Sequence, residues 1–445
     1  MDESPDSLGS QGAPADDKAA EAAKDIAQST GNGPDRPRKV YESNLLPDRR
    51  RNRVSPWVAV AVIAAIGALC VYVMMNGKRR REVVTVGQIA YAARMPGQTT
   101  SRIWLAGLDG GHAKAVTPVD ADADSPSYSG DGDQIVYIQS KGGVRQVYRM
   151  DGDGMNPIAV TSAGSSKSSP QFVPSDNTRV GYLSGGALFE SHVDTQDTDR
   201  IYPPPPDAIH GTGKDEGKEP EVMQTASGPA IVRFQYAPSD DPLKQPLGIV
   251  EEENGMQMLA LLPTGSGAAI VADDQNRPYT AAPSVSFGWS PDGSKLTCAL
   301  LGIPGPNKFI VNTLKTITAN NQIIGSPLNN PFKRPEGFEN PVYSPSGNLI
   351  AVTYWFDPDA ANRQCLGLAI IPADWSQPPH PILKGSAEDV QFSADGQNLL
   401  FLAKRKDGGH DLYKQDINGN NAPVKISDGT QDVLGFTVSD QEPRK

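Results

Sequence analysis

The residues best placed for chemistry in this sequence are two groups of closely spaced aspartates. Asp120, Asp122 and Asp124 alternate along one segment, whereas Asp151 and Asp153 lie in a Gly-rich turn. Carboxylates at such spacing superficially resemble calcium loops, but neither group has the spacing or the terminal Glu of an EF-hand. We interpret Asp151 and Asp153 as turn residues and the first three as an acidic linker. A weak divalent-cation site is the alternative.

Serine and histidine chemistry has no matching motif in the chain. The G-x-S-x-G nucleophile elbow and the HExxH zinc motif are both absent. Three of the five histidines lie in turn-like segments, which is typical of surface histidines. The five are His112, His192, His210, His380 and His410. The sequence therefore predicts no catalytic residue, no metal ligand and no cofactor-binding residue.

The chain has three cysteines, and none is part of a CxxC or Cys/His pattern that would indicate zinc. Cys70 lies in an apolar segment, whereas Cys298 and Cys365 lie in strand-like segments. We interpret Cys298 and Cys365 as small buried hydrophobic residues. A disulfide between them is the alternative if this part of the chain lies outside the cytoplasm.

Composition indicates many short strands joined by turns. The 445 residues include 44 Gly and 39 Pro, which is above average usage. The mean hydropathy of −0.42 excludes a polytopic transporter. The net charge of −11 makes nucleic acid an unfavourable partner, because an acidic surface repels phosphates.

The N-terminal region is predicted to be a disordered tail followed by a membrane anchor. Residues 1–53 lack apolar periodicity and are rich in Ala, Asp, Gly, Pro and Ser. The segment Trp57–Met75 then contains no charge, and as a helix it is long enough to span a hydrocarbon core of about 30 Å. We predict a transmembrane helix over residues 54–77 and a basic juxtamembrane linker over residues 78–84.

Basic residues flank both ends of this segment, and their balance predicts its orientation. Residues 36–53 carry more Arg and Lys than residues 78–81 do. By the positive-inside rule the N-terminus is cytoplasmic and the large domain lies outside the inner (plasma) membrane, with a single pass. The basic residues after the helix favour the opposite orientation, which stays the alternative.

Residues 85–440 contain internal repeats of about 40 residues. Ser125–Thr161 and Glu388–Ser427 align almost without gaps, and partial copies lie between them. Each repeat contains an aromatic strand, a Ser-x-Asp-Gly turn, an apolar strand, a Gly-rich turn, a strand with Tyr, and an Asp-x-x-Gly turn before a last strand. The period-2 alternation of apolar residues predicts four strands in each repeat.

The turns carry a structural motif. An Asp-Gly step supplies the positive φ that a tight turn needs, and Ser or Pro favours turn entry. The residues that we assign to this motif are Ser290, Pro291, Asp292, Gly293, Asp131, Gly132, Asp395 and Gly396.

This repeat resembles the WD40-like, or TolB-like, propeller repeat. Ser290, Pro291, Asp292 and Gly293 match its Ser-Pro-Asp-Gly turn fully, whereas the other turns miss one residue. The resemblance implies an all-β propeller of four-stranded blades. Repeats are expected near 85–117, 122–161, 168–202, 228–272, 283–325, 338–384 and 387–427, followed by a C-terminal tail, 441–445.

The number of blades follows from the spacing of the repeats. The first repeat lacks its opening strand, and the tail segment Val433–Val438 is a spare strand. We expect this strand to complete the first blade and close a ring of seven. Six blades are the alternative, because residues 202–229 and 302–334 are irregular.

Two other segments are interpreted structurally. Tyr202 and the four prolines that follow it read as a stiff loop between blades, with a ligand for a proline-binding partner as the alternative. Glu251, Glu252 and Glu253 form a run of charge that we expect to be solvated.

The family resemblance implies a module that binds one or more protein partners at the bacterial cell envelope. A membrane-anchored scaffold or binding protein is therefore the leading hypothesis. A hydrolase or lyase that uses the central channel on a sugar or lactone is the first alternative. The predicted inner strands, such as Phe287–Trp289 and Gln391–Phe392, show few charges and disfavour it. A membrane ligand sensor is the second alternative.

Overall fold

The structure is a computed structural model, and it describes residues 89–162, 164–174, 176–204, 229–239, 246–262, 269–270, 280–281, 285–301, 312–318, 323–325, 336–356 and 364–439. The predicted tail 1–53, the helix 54–77 with Trp57–Met75, the linker 78–84 and residues 441–445 lie outside these ranges. Within the ranges, no helix has the length and apolar character needed to cross a bilayer.

The described chain forms seven antiparallel sheets, six with four strands and one with five. They are the blades of a seven-bladed β-propeller, so the predicted fold class is confirmed and the six-bladed alternative is excluded.

Blades 1 to 4 contain sixteen of the strands and the closing strand. Blade 1 contains β1 (Ile89–Arg94), β2 (Ser101–Ala106), β3 (Lys114–Ala115) and β29 (Asp432–Val438). Blade 2 contains β4 (Asp122–Tyr128), β5 (Gln134–Lys141), β6 (Val144–Asp151) and β7 (Ile158–Ala159). Blade 3 contains β8 (Lys167–Val173), β9 (Asp176–Ser184), β10 (Ala187–His192) and β11 (Thr198–Tyr202). Blade 4 contains β12 (Ala230–Tyr236), β13 (Leu247–Glu253), β14 (Met256–Leu262), β15 (Ala269–Ile270) and β16 (Thr280–Ala281).

Blades 5 to 7 follow in the same order. Blade 5 contains β17 (Ser286–Trp289), β18 (Lys295–Leu301), β19 (Asn312–Thr318) and β20 (Ile323–Gly325). Blade 6 contains β21 (Glu336–Tyr343), β22 (Leu349–Phe356), β23 (Gln364–Pro372) and β24 (His380–Lys384). Blade 7 contains β25 (Glu388–Phe392), β26 (Asn398–Lys404), β27 (His410–Asp416) and β28 (Val424–Lys425).

The hydrophobic core lies between neighbouring blades. Val250 of blade 4, for example, packs in one cluster with Phe287 and Trp289 of blade 5. Phe172 and Val180 of blade 3 pack in the same way with residues of blade 2. Each blade therefore buries both faces of its sheet only when it has a neighbour on each side, which is why a repeat of this length needs a closed ring.

The C-terminal strand closes the ring. β29 pairs antiparallel with β1, with Val438 opposite Ile89 and Phe436 opposite Tyr91. The prediction that Val433–Val438 completes the first blade is thus confirmed. Blade 7 holds this strand through Gln391, whose side-chain amide donates to the Phe436 carbonyl at 2.9 Å and accepts from the Val438 N–H at 3.1 Å.

The Ser-Pro-Asp-Gly segment forms the turn between β17 and β18. The Ser290 hydroxyl donates to Asp292 Oδ1 at 2.6 Å and accepts from the Lys295 N–H at 3.0 Å. Gly293 has a φ of 65°, and a Cβ at this position would lie 2.0 Å from the Pro238 carbonyl oxygen of blade 4. The turn therefore fixes both the hairpin and its contact with the preceding blade.

Candidate functional site

The innermost strand of each blade, which is β29 in blade 1 and the first strand in every other blade, lines a central channel. Neighbouring inner strands contact one another around the ring, for example β29 with β4, β4 with β8, and β21 with β25. These strands occupy equivalent places in their blades and run in the same direction. Equivalent residues of the seven strands therefore lie at the same depth in the channel.

Within the described residues, a β-bulge interrupts the inner strand of every blade except the fifth, where the chain before β17 is described only from Val285. In four blades the bulge residue has a positive φ although it is not glycine. These residues are Ser125 (52°), Ser169 (52°), Asn340 (50°) and Asp389 (53°). Bulges re-aim side chains and are common beside functional sites.

These bulges lie at one layer of the channel. In each blade, the residue of this layer lies three positions before a large, mostly aromatic residue near the C-terminal end of the inner strand. The layer consists of Gly435, Ser125, Ser169, Arg233, Ser286, Asn340 and Asp389, in ring order from blade 1 to blade 7. We call this layer the channel mouth. Adjacent blades are linked here, because the Asn340 N–H donates to Ser286 Oγ at 2.8 Å.

The channel mouth carries two opposite charges. Arg233 of blade 4 interacts electrostatically with Asp389 of blade 7 and with Glu339 of blade 6. Burial lowers the pKa of Arg233, and the two carboxylates oppose that shift. The three charges are therefore close enough to influence one another across the channel.

Asp389 has a perturbed pKa. Burial raises the pKa of its carboxyl to about 6, although the charge of Arg233 and the Phe436 N–H lower it. The side chain is nevertheless accessible to water. Both properties are those of a channel wall, where water reaches the carboxylate but the surrounding protein displaces most of the bulk solvent. A perturbed carboxyl in a concave site is a candidate functional group.

A cavity of about 290 Å³ lies at the channel mouth between blades 7, 1 and 2. It is lined by Asp124, Ser125, Pro126, Asp389, Leu434, Gly435 and Phe436. Its polar groups and its apolar wall come from three different blades, so only the closed ring assembles it. We take this cavity as the candidate functional site.

Arg145 neutralises one of the two carboxylates in the cavity. Its guanidinium donates to both oxygens of Asp124, at 2.7 and 2.8 Å. The Ser125 hydroxyl also donates to Asp124, at 2.8 Å. This bidentate arrangement fixes the Asp124 side chain. Among the described residues, no basic side chain makes such a hydrogen-bonded pair with Asp389, on which Arg233 acts through its charge.

A second cavity, of about 200 Å³, lies between the turns of blades 5 and 6. It is lined by Ser290, Pro291, Asp292, Lys295, Tyr343, Ser346, Gly347 and Ala373. Hydrogen bonds from Ser290 are the largest cause that lowers the pKa of Asp292. Because these residues are occupied in holding the turn, we assign this cavity to the structure of the blade contact.

The motif residues of the other turns adopt the same geometry. The Ser129 hydroxyl donates to Asp131 at 2.6 Å, and the Ser393 hydroxyl donates to Asp395. Gly132 and Gly396 have φ values of 71° and 67°. All these turns directly follow the inner strands of their blades, so they lie together at the end of the channel toward which the inner strands run.

The aspartates of the first group are not brought together on one ion. Asp122 accepts hydrogen bonds from the backbone and hydroxyl of Ser101, both at 3.1 Å, whereas Asp124 pairs with Arg145. Asp153 accepts from the Met155 N–H at 2.9 Å, as expected of a turn residue. Across the described residues, no group of three or more His, Cys, Asp and Glu is arranged to hold a metal.

The structure corrects one expectation about acidic residues. Glu251 was expected to be solvated, but its side chain is buried in β13 with 4% exposure. Successive residues of a strand face opposite sides of the sheet, so Glu251 and Glu252 face opposite sides. Glu251 lies on the buried side, where Tyr202 donates a hydrogen bond to it. Burial and this contact raise the pKa of Tyr202 to about 12.

The two cysteines of the propeller are free. Cys298 is fully buried in the core between blades 4 and 5, as expected of a small hydrophobic residue. Cys365 is half-buried in blade 6, and the alternative of a disulfide between them does not hold in this structure.

Among the histidines, His210 lies outside the described residues. His112 lies in a turn with a φ of 57°. His410 lies near two carboxylates, with 3.8 Å to Glu388 and 3.7 Å to Asp432. None of the four described histidines, which are His112, His192, His380 and His410, is among the residues that line the cavity.

Sequence reasoning missed Arg233 and Asp389. The inner strands Phe287–Trp289 and Gln391–Phe392 do show few charges, but the charges lie just before such segments, where a bulge breaks the alternation. A signal was present in the repeats. The position three residues before the last aromatic residue holds Ser, Asn, Asp or Arg in several copies, which is unusual for a buried inner strand.

No model of a known protein family matches the chain, and no curated protein matches it. Solved structures of similar fold include TolB from Acinetobacter baumannii, at 13% identity and a TM-score of 0.46, covering 79% of this chain and 66% of that chain. The chain thus spans slightly less than two thirds of the length of that TolB.

Two further structures are similar. One is an oligogalacturonate lyase from Vibrio parahaemolyticus, at 11% identity and a TM-score of 0.48, covering 76% of this chain and 85% of that chain. The other is the β-propeller domain of the Trilobed protease from Pyrococcus furiosus, at 11% identity and a TM-score of 0.45, covering 77% and 93%. These likenesses are likenesses of fold and assign no function.

Proposed function

We propose that this chain is a membrane-anchored propeller that binds a protein partner at the channel mouth and acts as a scaffold at the cell envelope. The observation that carries the proposal is the exposure of large apolar side chains at the bulges. Leu434 of blade 1 and Val232 of blade 4 are each 40% exposed, next to the charges of Asp389 and Arg233. Protein interfaces combine an apolar centre with a polar rim in this way.

The bulges explain why these side chains are exposed. In β29 Leu434 has no partner in β1, and in β12 Val232 has no partner in β13. Each is the extra residue of its bulge, and so it leaves the packed face of the blade. A rigid ring that presents such residues is suited to binding, because little ordering is needed on its side of the interface.

The anchor is supported by the sequence segment Trp57–Met75 and its basic flanks. In the proposed arrangement the N-terminus is cytoplasmic and the propeller lies outside the inner membrane. Protease added to intact spheroplasts should then degrade the propeller. Protection until the membrane is lysed would reverse the orientation and place the binding face in the cytoplasm.

Binding is tested by site-specific crosslinking in the source cells. A photoreactive amino acid at position 434 of the full-length chain should crosslink to one abundant protein. The same group at position 155 is the control, because Met155 is 58% exposed but lies on the outer hairpin of blade 2. Val232→Arg should abolish the adduct at 434. Equal crosslinking at both positions, or no effect of Val232→Arg, would refute the proposal.

A further inference from the structure

The cavity at the channel mouth combines a carboxylate with an apolar wall. Asp389 provides the carboxylate, and Leu434 and Phe436 provide apolar surface. Gly435 lies between them and has no side chain. A Cβ on Gly435 would lie 3.9 Å from Asp389 Oδ2, so the carboxylate lies directly over the bare glycine backbone and is open to the cavity.

The charge balance within the cavity is negative. Asp124 is neutralised by the bidentate contact with Arg145. Asp389 has the Phe436 N–H as a hydrogen-bond partner, and Arg233 acts on it through charge alone. Glu388, the preceding residue of β25, adds further negative charge beside it. A cation that entered the cavity would therefore give Asp389 a hydrogen-bonded cationic partner, which no basic side chain of the described residues supplies.

We propose that this cavity binds a small organic cation, a primary ammonium or guanidinium group on a short apolar chain. The cationic group donates hydrogen bonds to Asp389, and the apolar chain lies against Leu434. A hydrogen-bonded ion pair in partly desolvated surroundings is stronger than one in water. This inference does not depend on protein binding at the channel mouth.

The size of the cavity limits the ligand. Its volume of about 290 Å³ is just below the range for small-molecule sites, about 300–1,000 Å³. An amine with a few carbon atoms fits in this volume. The apolar wall favours an organic cation over an inorganic one, because only the organic cation has an apolar chain that removes part of Leu434 from water.

The test uses the full-length chain purified in nonionic detergent and titrated with n-butylammonium chloride at constant ionic strength. Ligand-observed NMR should show saturable binding. Asp389→Asn should weaken it about tenfold, the value of one charge-assisted hydrogen bond. Asn suits the fold here, because Asn340 holds the same bulge position with a positive φ. Asp374→Asn, on an exposed loop, is the control and should leave binding unchanged.

Two further probes make the outcome decisive. Butanol has the same apolar chain without the charge, and binding as tight as that of butylammonium would overturn the proposal in favour of an apolar pocket. Magnesium chloride that displaces butylammonium at equal concentration would overturn it in favour of an inorganic cation site. Unchanged binding in Asp389→Asn, or no saturable binding at all, would also refute it. Crosslinking at position 434 is a separate measurement, so failure of either proposal is recognised by itself.

Discussion

At the scale of single residues, the channel mouth shows how a local backbone feature places a carboxylate in the wall of a cavity. Asp389 would be an ordinary strand residue without its bulge. The bulge turns it toward the channel, where the ring surrounds it with protein. The same backbone conformation holds Ser125, Ser169 and Asn340, so four of the blades share this position and differ in the side chain it carries.

Asp389→Asn should stabilise the protein at neutral pH. The pKa of Asp389 is raised to about 6, above its value in the unfolded chain, so ionisation disfavours the folded state. This cost is absent below pH 4, grows between pH 4 and 6, and is constant above pH 6. After allowance for solvent screening in the channel, we expect Asp389→Asn to raise the free energy of unfolding by about 1 kcal/mol at pH 7.5. Urea denaturation at pH 4 and 7.5 measures it.

The control for this pH effect is Asp374, whose pKa is lowered mainly by hydrogen bonds from Ser376. Its folded form favours ionisation, so Asp374→Asn should not stabilise the protein at pH 7.5. A stability difference between Asp389→Asn and the parent that is equal at both pH values would contradict the assignment.

Gly293→Ala should destabilise the propeller by at least about 2 kcal/mol. The new Cβ would lie 2.0 Å from the Pro238 carbonyl oxygen, and alanine disfavours the φ of 65°. Gly142→Ala is the matched control, because Gly142 has a φ of 61° but nothing lies within 4 Å of its added Cβ. Gly142→Ala should lower the free energy of unfolding by only about 1 kcal/mol. Equal losses in thermal or urea unfolding would show that backbone strain alone matters at Gly293.

At the scale of strands and turns, the sequence predicted most of what is seen. The Asp-Gly steps and the alternation in segments such as 134–139 locate hairpins, because turn chemistry and period-2 burial are local properties. The bulges could not be predicted in this way. They break the period-2 alternation on which the strand prediction depends, so that alternation does not reveal which residue each bulge turns out of register.

The burial of Glu251 has the same origin. In the sequence it is one of three consecutive glutamates, and only the register of β13 against β12 and β14 decides which of them faces inward. A run of like charges carries no signal for that register.

Gln391→Ala should loosen the closing strand. It removes the donor to Phe436 and the acceptor for Val438 and leaves both backbone groups without this partner. A loss of about 1–3 kcal/mol is expected, with faster hydrogen exchange of the amides in β29. Gln397→Ala, in an exposed turn of the same blade, should be nearly neutral. If the two variants are equally stable, the two hydrogen bonds of Gln391 contribute nothing to closure of the ring.

At the scale of the whole molecule, stability depends on a ring that is closed by one strand. Each blade buries its two faces against its two neighbours, and blade 1 is complete only when β29 joins β1. The number of blades could be predicted because the missing first strand and the spare last strand were both visible in the sequence. The cavity could not, because its lining comes from segments about 300 residues apart, such as Ser125 and Leu434.

A circular permutant should fold. Val438 lies opposite Ile89 in the antiparallel pair, so a two- to five-residue turn can join residues 432–439 directly to Ile89, with a new end at Gln431. The circular dichroism spectrum of the permutant, and its affinity for butylammonium at the channel mouth, should match those of the parent. By contrast, deletion of residues 432–439 should leave an open ring that aggregates. A permutant that does not fold would show that the order of synthesis is needed for closure.

The closing pair also determines how long the ring stays open during biosynthesis. β1 is the first of the propeller's strands to leave the ribosome. Synthesis of its partner β29 begins only after residues 95–431 have been added. At about 5–20 residues per second this takes on the order of 17–70 s. Throughout that time the edge of β1, which includes Ile89 and Tyr91, is an unpaired apolar template for other chains. The nascent chain therefore exposes one edge of its first strand until its last strand has been made.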